Sequence, residues 1–215
     1  MNVLIGEFNG KSRMMPYLER HGWGRMWASY GPAWSYDGEP WGFDNGAFRA
    51  WRKGESFPVG KFRTRIERAM STQPHPPCVA VLPDVVGDGV ATLAQAEHWL
   101  PRLPNSWPWF LAVQDGIYPE RVRRLLPRVA GLFLGGTDAF KRTAGMWCDM
   151  AHGADKLFHF ARCNREAWIR SALDIGADSI DTTRPLRALT GNEADWFRLF
   201  ERMVTRQCKQ KTLGV

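Results

Sequence analysis

The stretch Phe110-Leu-Ala-Val-Gln-Asp-Gly-Ile-Tyr-Pro-Glu-Arg-Val-Arg-Arg-Leu-Leu-Pro-Arg-Val-Ala-Gly-Leu-Phe-Leu134 decides the fold class. Its two ends are continuous apolar runs of strand length, the pattern of parallel strands covered on both faces. Between them, Gln114-Asp115-Gly116 forms a polar turn, and Pro119 suits the first turn of a helix over 119–129. Strand, turn, helix and strand make a βα unit, and the same alternation recurs along the chain.

Eight apolar or β-branched runs fall at 3–5, 26–29, 41–44, 78–82, 110–114, 131–134, 157–160 and 178–181. Helical patterns over 12–20, 59–71, 89–100, 119–129, 138–152, 164–175 and 192–208 separate most of them. Asn164 is expected to cap its helix with Ala167 and Trp168 facing inward, and Asn192 precedes a Trp196/Phe197/Phe200 stripe that reads as core. Residues 22–40 are rich in Gly, Trp, Tyr and Pro, and predict a long aromatic loop with no helix. The result is an α/β fold: one domain over 1–215, a compact (β/α)8 TIM-like barrel missing the helix between strands 2 and 3. A doubly wound open sheet is the alternative, but no G-x-G-x-x-G follows the first strand.

At 215 residues the chain suits one well-buried domain. Its 29 Lys and Arg against 22 Asp and Glu give a formal charge of +7, which favours an anionic partner such as nucleic acid, although ordinary solubility accounts for the same excess. Eleven Trp supply either stacking surface or core. Cys78, Cys148, Cys163 and Cys208 show no C-x-x-C pair and no close Cys/His cluster, so neither a metal nor a cofactor is expected. The N-terminus lacks the pattern of a secretory signal, and no apolar run approaches the ~20 residues that span a bilayer, so the expectation is a cytoplasmic protein without a membrane contact. A monomer and a protein interface on the aromatic loop both remain open.

In a barrel the carboxyl ends of the strands share one rim, and polar residues there form one candidate site. Here those ends supply Asp44, Asp84, Gln114, Gly135, Gly136 and Asp181. Asp178 and Asp181 lie three apart on a strand and point to opposite faces, so Asp181 alone is aimed at the rim. Singly, each Asp could be a helix cap and the glycine pair a turn; their coincidence on successive strand ends marks a site. A Gln and glycine amides can read the edge of a flat heterocycle, and an Asp can accept paired N–H donors from an amidine-like face such as that of guanine. Two further carboxylates across a sugar supply a nucleophile and an acid/base.

These segments resemble the tRNA-guanine transglycosylase superfamily, and more closely its small DNA-guanine transglycosylase branch that installs 7-deazaguanines. The resemblance runs in order over 43–185. Phe43-Asp-Asn-Gly-Ala-Phe48 is similar to S-D-S-G-G-F, Leu82-Pro-Asp84 to the purine-binding segment, Val113-Gln-Asp-Gly116 to V-Q-G-G, Leu134-Gly-Gly-Thr137 to the glycine pair, and Gly176-Ala-Asp-Ser-Ile-Asp-Thr-Thr-Arg184 to G-V-D-M-F-D-C-V-x-P-T-R. The resemblance implies Asp181 as nucleophile, Asp44 as acid/base, and Asp84, Gln114, Gly135 and Gly136 on the base. It implies DNA, with the target base flipped or single-stranded, and a free 7-deazaguanine base as partners. Arg162, Arg184 and Arg187 are candidates for phosphate contacts, and the Trp23/Trp27/Trp34/Trp41 segment for aromatic surface against the displaced nucleotide. The zinc insertion of the tRNA enzymes has no counterpart here, Asn45-Gly-Ala replaces Ser-Gly-Gly, and the glycine pair lacks its acidic successor. A tRNA exchanger, a guanine glycosidase and a non-catalytic nucleic-acid-binding barrel remain as alternatives.

Overall fold

The computed structural model describes residues 1–6, 8, 13–28, 37–191 and 193–212. Eight strands, β1 (Asn2–Gly6), β2 (Gly24–Trp27), β3 (Trp41–Phe43), β4 (Val79–Val81), β5 (Trp109–Val113), β6 (Gly131–Leu134), β7 (Leu157–Phe160) and β8 (Ser179–Thr182), run parallel in chain order. β8 pairs with β1, Val3 opposite Ile180 and Leu4 opposite Asp181, and the barrel is closed. This is the (β/α)8 architecture that the run of apolar segments predicts.

The helices are α1 (Met15–His21), α2 (Ala47–Arg52), α3 (Val59–Thr72), α4 (Gly89–Trp99), α5 (Pro119–Leu125), α6 (Asp138–Lys141), α7 (Ala144–His152), α8 (Glu166–Asp174), α9 (Arg184–Thr190) and α10 (Ala194–Thr212). α2 and α9 are too short to show a helical period. The expected helix over 138–152 is broken, because the Thr143 hydroxyl bonds back to Phe140 O at 2.6 Å and takes the indole N–H of Trp147 at 3.0 Å. Asn164 does not cap α8: its Oδ1 accepts from Thr182 Oγ1 (3.1 Å), Thr183 N (2.9 Å) and Thr183 Oγ1 (3.2 Å), tying the end of β7 to the end of β8. Asn192 lies outside the described residues, while Phe197 and Phe200 are core as read from their stripe.

Alternation along the strands sorts the side chains into two layers. Leu4, Met26, Val79, Val81 and Phe110 fill the lower barrel interior. Glycines make room for the larger of them: a Cβ on Gly42 would sit 2.3 Å from Met26 Sδ, and one on Gly131 2.5 Å from the Phe110 ring. The outward-facing residues pack with the helices in the larger cluster. Trp23, Trp27 and Trp41 belong to it and are buried, Trp27 and Trp41 with ring centroids 5.3 Å apart. They are therefore structural and offer no surface to a displaced nucleotide, which corrects the expectation for three of the four; Trp34 lies outside the described residues.

Between β2 and β3 the described residues 28 and 37–40 contain no helix, and 29–36 lie outside the described set. Outward-facing Arg25 meets Glu39 there, Nε to Oε1 at 2.6 Å and Nη2 to Oε2 at 2.9 Å, with both side chains fully buried. A fork-to-fork pair satisfies the two charges with good geometry, and this makes a polar patch tolerable inside the outer layer. No helix among the described residues is long and apolar enough to cross a membrane.

Removing one member of this pair leaves a buried charge. Glu39→Ala is expected to cost about 3–5 kcal/mol in urea unfolding, and the double change Arg25→Met/Glu39→Leu to cost far less. A single-variant loss under about 1 kcal/mol, the range of exposed pairs, would show that the pair does not hold this wall.

Candidate active site

The β3–α2 corner is built from backbone geometry. Asp44 N continues the sheet by bonding Trp27 O at 2.8 Å, and Gly46, at φ +84°, makes the turn that only a residue without Cβ adopts freely. Gly46 N then donates to Asp44 Oδ1 at 2.7 Å. Arg65, buried on α3, donates to the carbonyls of Asp44, Asn45 (3.4 Å) and Trp27 (3.3 Å) and lies over the Phe43 ring. The guanidinium thus grips the main chain of the corner and leaves the Asp44 carboxyl facing the barrel mouth.

Asn45 joins this corner to the next. Its amide donates to Leu82 O at 2.6 Å and to Asp84 Oδ1 at 2.7 Å, and its Oδ1 accepts from Ala47 N. On the other side, Gln114 Nε2 lies 3.2 Å from Asp84 Oδ2, 2.9 Å from Val85 O and 2.7 Å from Thr92 Oγ1, while its Oε1 accepts from Gly87 N. Gln114 therefore holds the loop after β4 and orients Asp84. Its amide protons are engaged by these acceptors, and its side chain also lines the cavity between the strand ends.

Asp181 sits at the top of β8 with its carboxylate asymmetrically tied. Oδ1 accepts from Arg162 N at 3.0 Å and meets His159 Nε2 at 3.0 Å, while among the described residues no group bonds Oδ2, which is left to the cavity. His159 Nδ1 is 2.7 Å from Ser179 Oγ, so the Nε2–H tautomer satisfies both contacts, with the serine donating to Nδ1. The imidazole is fully buried and stacked on Phe133, centroids 4.8 Å apart and planes at 2°. Asp178 points elsewhere: its Oδ2 accepts from Phe158 N and pairs with His152.

Asp44, Asp84, Gln114 and Asp181 line one cavity of about 440 Å³, with Gly135, Gly136 and Arg162 on its far wall. Val81, Ala112 and Phe133 give it an apolar floor, and Phe48 and Trp51 form a stacked aromatic lip, the latter 56 % exposed. Arg162, at φ +51°, donates Nη2 to Gly136 O at 2.9 Å and holds its guanidinium over the Phe48 ring at 4.5 Å. Gly135 N is taken by Val113 O, so of the glycine pair only Gly136 retains an amide that the sheet does not use. Arg184 and Arg187 are not on the cavity wall. Arg184 pairs with Glu193 and covers Trp196, and Arg187 bonds Thr183 Oγ1, which corrects their place among the rim contacts.

Sequence reading gave no role to His159, Ser179, Arg65 or Trp51, and took Asn45 and Phe48 only as part of the segment after the third strand. Of the added residues only the lip left a signal, aromatics four and seven residues after the strand-end Asp44. Among the described residues no group of three or more His, Cys, Asp or Glu is arranged to hold a metal ion.

The carboxyls differ in their titration. Burial holds Asp44 above its ordinary value, and the Asp181 charge adds to this against the Gly46 amide and Arg65. Burial also pushes Asp84 up to about 6, with Asp44 adding and the bonds from Asn45 and Gln114 opposing.

No protein-family model matches the chain, and no curated protein matches it. Among solved structures, a chain of the tryptophan synthase α2β2 complex of Pyrococcus furiosus is similar over 94 % of this chain and 97 % of its own length, at 12 % identity and a TM-score of 0.42.

Because the folded form of Asp84 binds its proton more tightly than the unfolded chain, whose value is 3.8, its contribution to stability is intact below that pH and is lost as pH rises through about 6. Carboxyl-carbon NMR should place the Asp84 midpoint near 6, and Asp44→Asn should lower it by removing the neighbouring charge. A midpoint near 3.8 in both proteins would contradict this account of the mouth.

Proposed function

We propose that this protein exchanges guanine in DNA for a free 7-deazaguanine through a covalent bond between Asp181 and the sugar C1′. The observation that carries the reading is the division of labour in one cavity. Among the described residues Asp181 presents a single oxygen that no group bonds, Asp44 is a carboxyl whose proton affinity burial raises, and Asp84 turns a doubly oriented carboxylate to the same space.

The chemistry follows from these three groups. Asp181 Oδ2 attacks C1′, the C1′–N bond breaks with its electron pair leaving on guanine, and Asp44 delivers the proton that makes the departing base neutral. The incoming 7-deazaguanine returns that proton to Asp44 as its nitrogen attacks C1′, and the bond to Asp181 breaks. Two displacements on opposite faces retain the anomeric configuration. Asp84, ionised above about pH 6, accepts paired donors from the base edge, and the flat floor of Ala112 and Phe133 suits an aromatic ring. The formal charge of +7 favours a polyanion, and the exposed Phe48/Trp51 pair offers stacking surface to a base drawn out of a helix.

Labelled guanine incubated with DNA or tRNA tests the reading, since incorporation reports both catalysis and substrate, whereas hydrolysis would leave an abasic site. Asp181→Ala and Asp181→Asn should keep the fold and lower exchange by roughly a thousandfold or more, as loss of a covalent nucleophile does, and the wild type should be trapped covalently on DNA. Full exchange in both variants would remove Asp181 from the role.

The same assignment sets a pH dependence. KM for the free base should rise as pH falls through about 6, where Asp84 gains its proton and can no longer accept two donors. A KM unchanged between pH 5 and pH 8 (roughly one unit on the acid side and two on the basic side of that midpoint) would count against Asp84 as the base anchor.

A further inference from the structure

A second groove, of about 310 Å³, adjoins the base cavity and shares Gly136, Thr137 and Arg162 with it. Its remaining wall comes from Asp138, Lys141, Asn164, Arg165 and Trp168. Nothing in the chemistry above uses this groove.

Its polar groups are mostly donors. Lys141 is only 3 % exposed, and its Nζ donates to Ala161 O at 2.7 Å and lies 3.4 Å from Arg162 O. These bonds leave one N–H, the ammonium also lies 5.6 Å from the centroid of the Phe160 ring, and among the described residues no carboxylate is within ion-pair reach of it. Burial and the adjacent Arg162 charge press its pKa downwards against the opposing pull of Cys163, Asp181 and Asp138. The Trp168 indole N–H is buried with no hydrogen-bond partner among the described residues. Asn164 has its carbonyl oxygen engaged by Thr182 and Thr183, which leaves the amide end as a donor. Asp138 is the one acid on this wall, and it is paired with Arg165 at 2.7 Å.

Three cations against one carboxylate, an unpaired indole N–H and a buried ammonium with a free proton describe an anion site. We propose that this groove binds a phosphodiester of the strand flanking the displaced nucleotide, with Lys141, Trp168 and Arg162 as its donors. Arg162 stands on both walls, so a nucleotide whose base enters the cavity brings its backbone to the groove. The assignment to a nucleic-acid strand rests on the base-exchange reading; the anion site itself does not.

The test uses the full chain, a fluorescein-labelled single-stranded oligodeoxynucleotide containing guanine, and inorganic phosphate as the second probe. Lys141→Met, which keeps the aliphatic stem, should weaken oligonucleotide binding about fivefold to tenfold and reduce the log–log salt slope by about 0.7. Trp168→Phe, which keeps the ring and removes the N–H, should weaken it about threefold at an unchanged slope and guards against misfolding of the lysine variant. Oligonucleotide binding unaffected by either change overturns the proposal. Inorganic phosphate binding that depends on Lys141 while the oligonucleotide does not would identify a free-phosphate site and overturn the strand assignment. If the wild type exchanges no base yet Lys141→Met still weakens the oligonucleotide, the exchange reading fails and the groove stands.

Discussion

Three carboxylates share one partly desolvated barrel mouth, and most of the local structure answers that constraint. Two like charges about 4 Å apart at a protein surface repel by roughly 4 kcal/mol, so three ionised acids would not sit quietly together. Each is handled differently. Asp181 has two donors on one oxygen, Asp84 is bracketed by the amides of Asn45 and Gln114 while burial pushes it up to about 6, and burial holds Asp44 above its ordinary value. Groups whose surroundings push their proton affinities apart are what acid/base chemistry at a single centre requires. The supporting residues, Arg65 on the corner backbone and His159 beneath Asp181, are rigid because they are buried and bonded within the scaffold.

The fold was legible because parallel strands inside a closed barrel are covered on both faces and so read as unbroken apolar runs. The runs 131–134 and 157–160 coincide with β6 and β7, while β2 begins two residues before its apolar run, at Gly24, because sheet pairing continues through a glycine that carries no hydrophobic signal. The acids at the strand ends were legible for a related reason: topology alone brings such ends to one rim. His159 was hidden inside an apolar strand, with partners 20 and 22 residues away, and nothing local announces that its ring turns into the barrel. Arg65 sits in a helix dense with charge, where one buried arginine looks like its solvated neighbours. The tryptophans misled in the opposite sense, since a Gly- and Pro-rich segment suggests surface, whereas Trp27 and Trp41 lie on strands and pack outward under helices. Arg184 reads as part of a basic turn; only α9 and α10 together show that it faces Glu193.

Arg162 shows how closely the mouth and the chemistry are joined. Its backbone N–H bonds Asp181 Oδ1, its side chain bonds Gly136 O and covers Phe48, and its carbonyl lies near the Lys141 ammonium. It does this in a left-handed conformation, φ +51°, that costs a residue with a Cβ on the order of 1–2 kcal/mol. A glycine would adopt that conformation without strain and could still present the N–H to Asp181. It would lose the cation that spans the base cavity and the neighbouring groove, and with it the contact to the aromatic lip. The strain is therefore tied to the side chain: the residue that fixes one oxygen of the candidate nucleophile also carries positive charge to the edge where a nucleic-acid backbone would arrive.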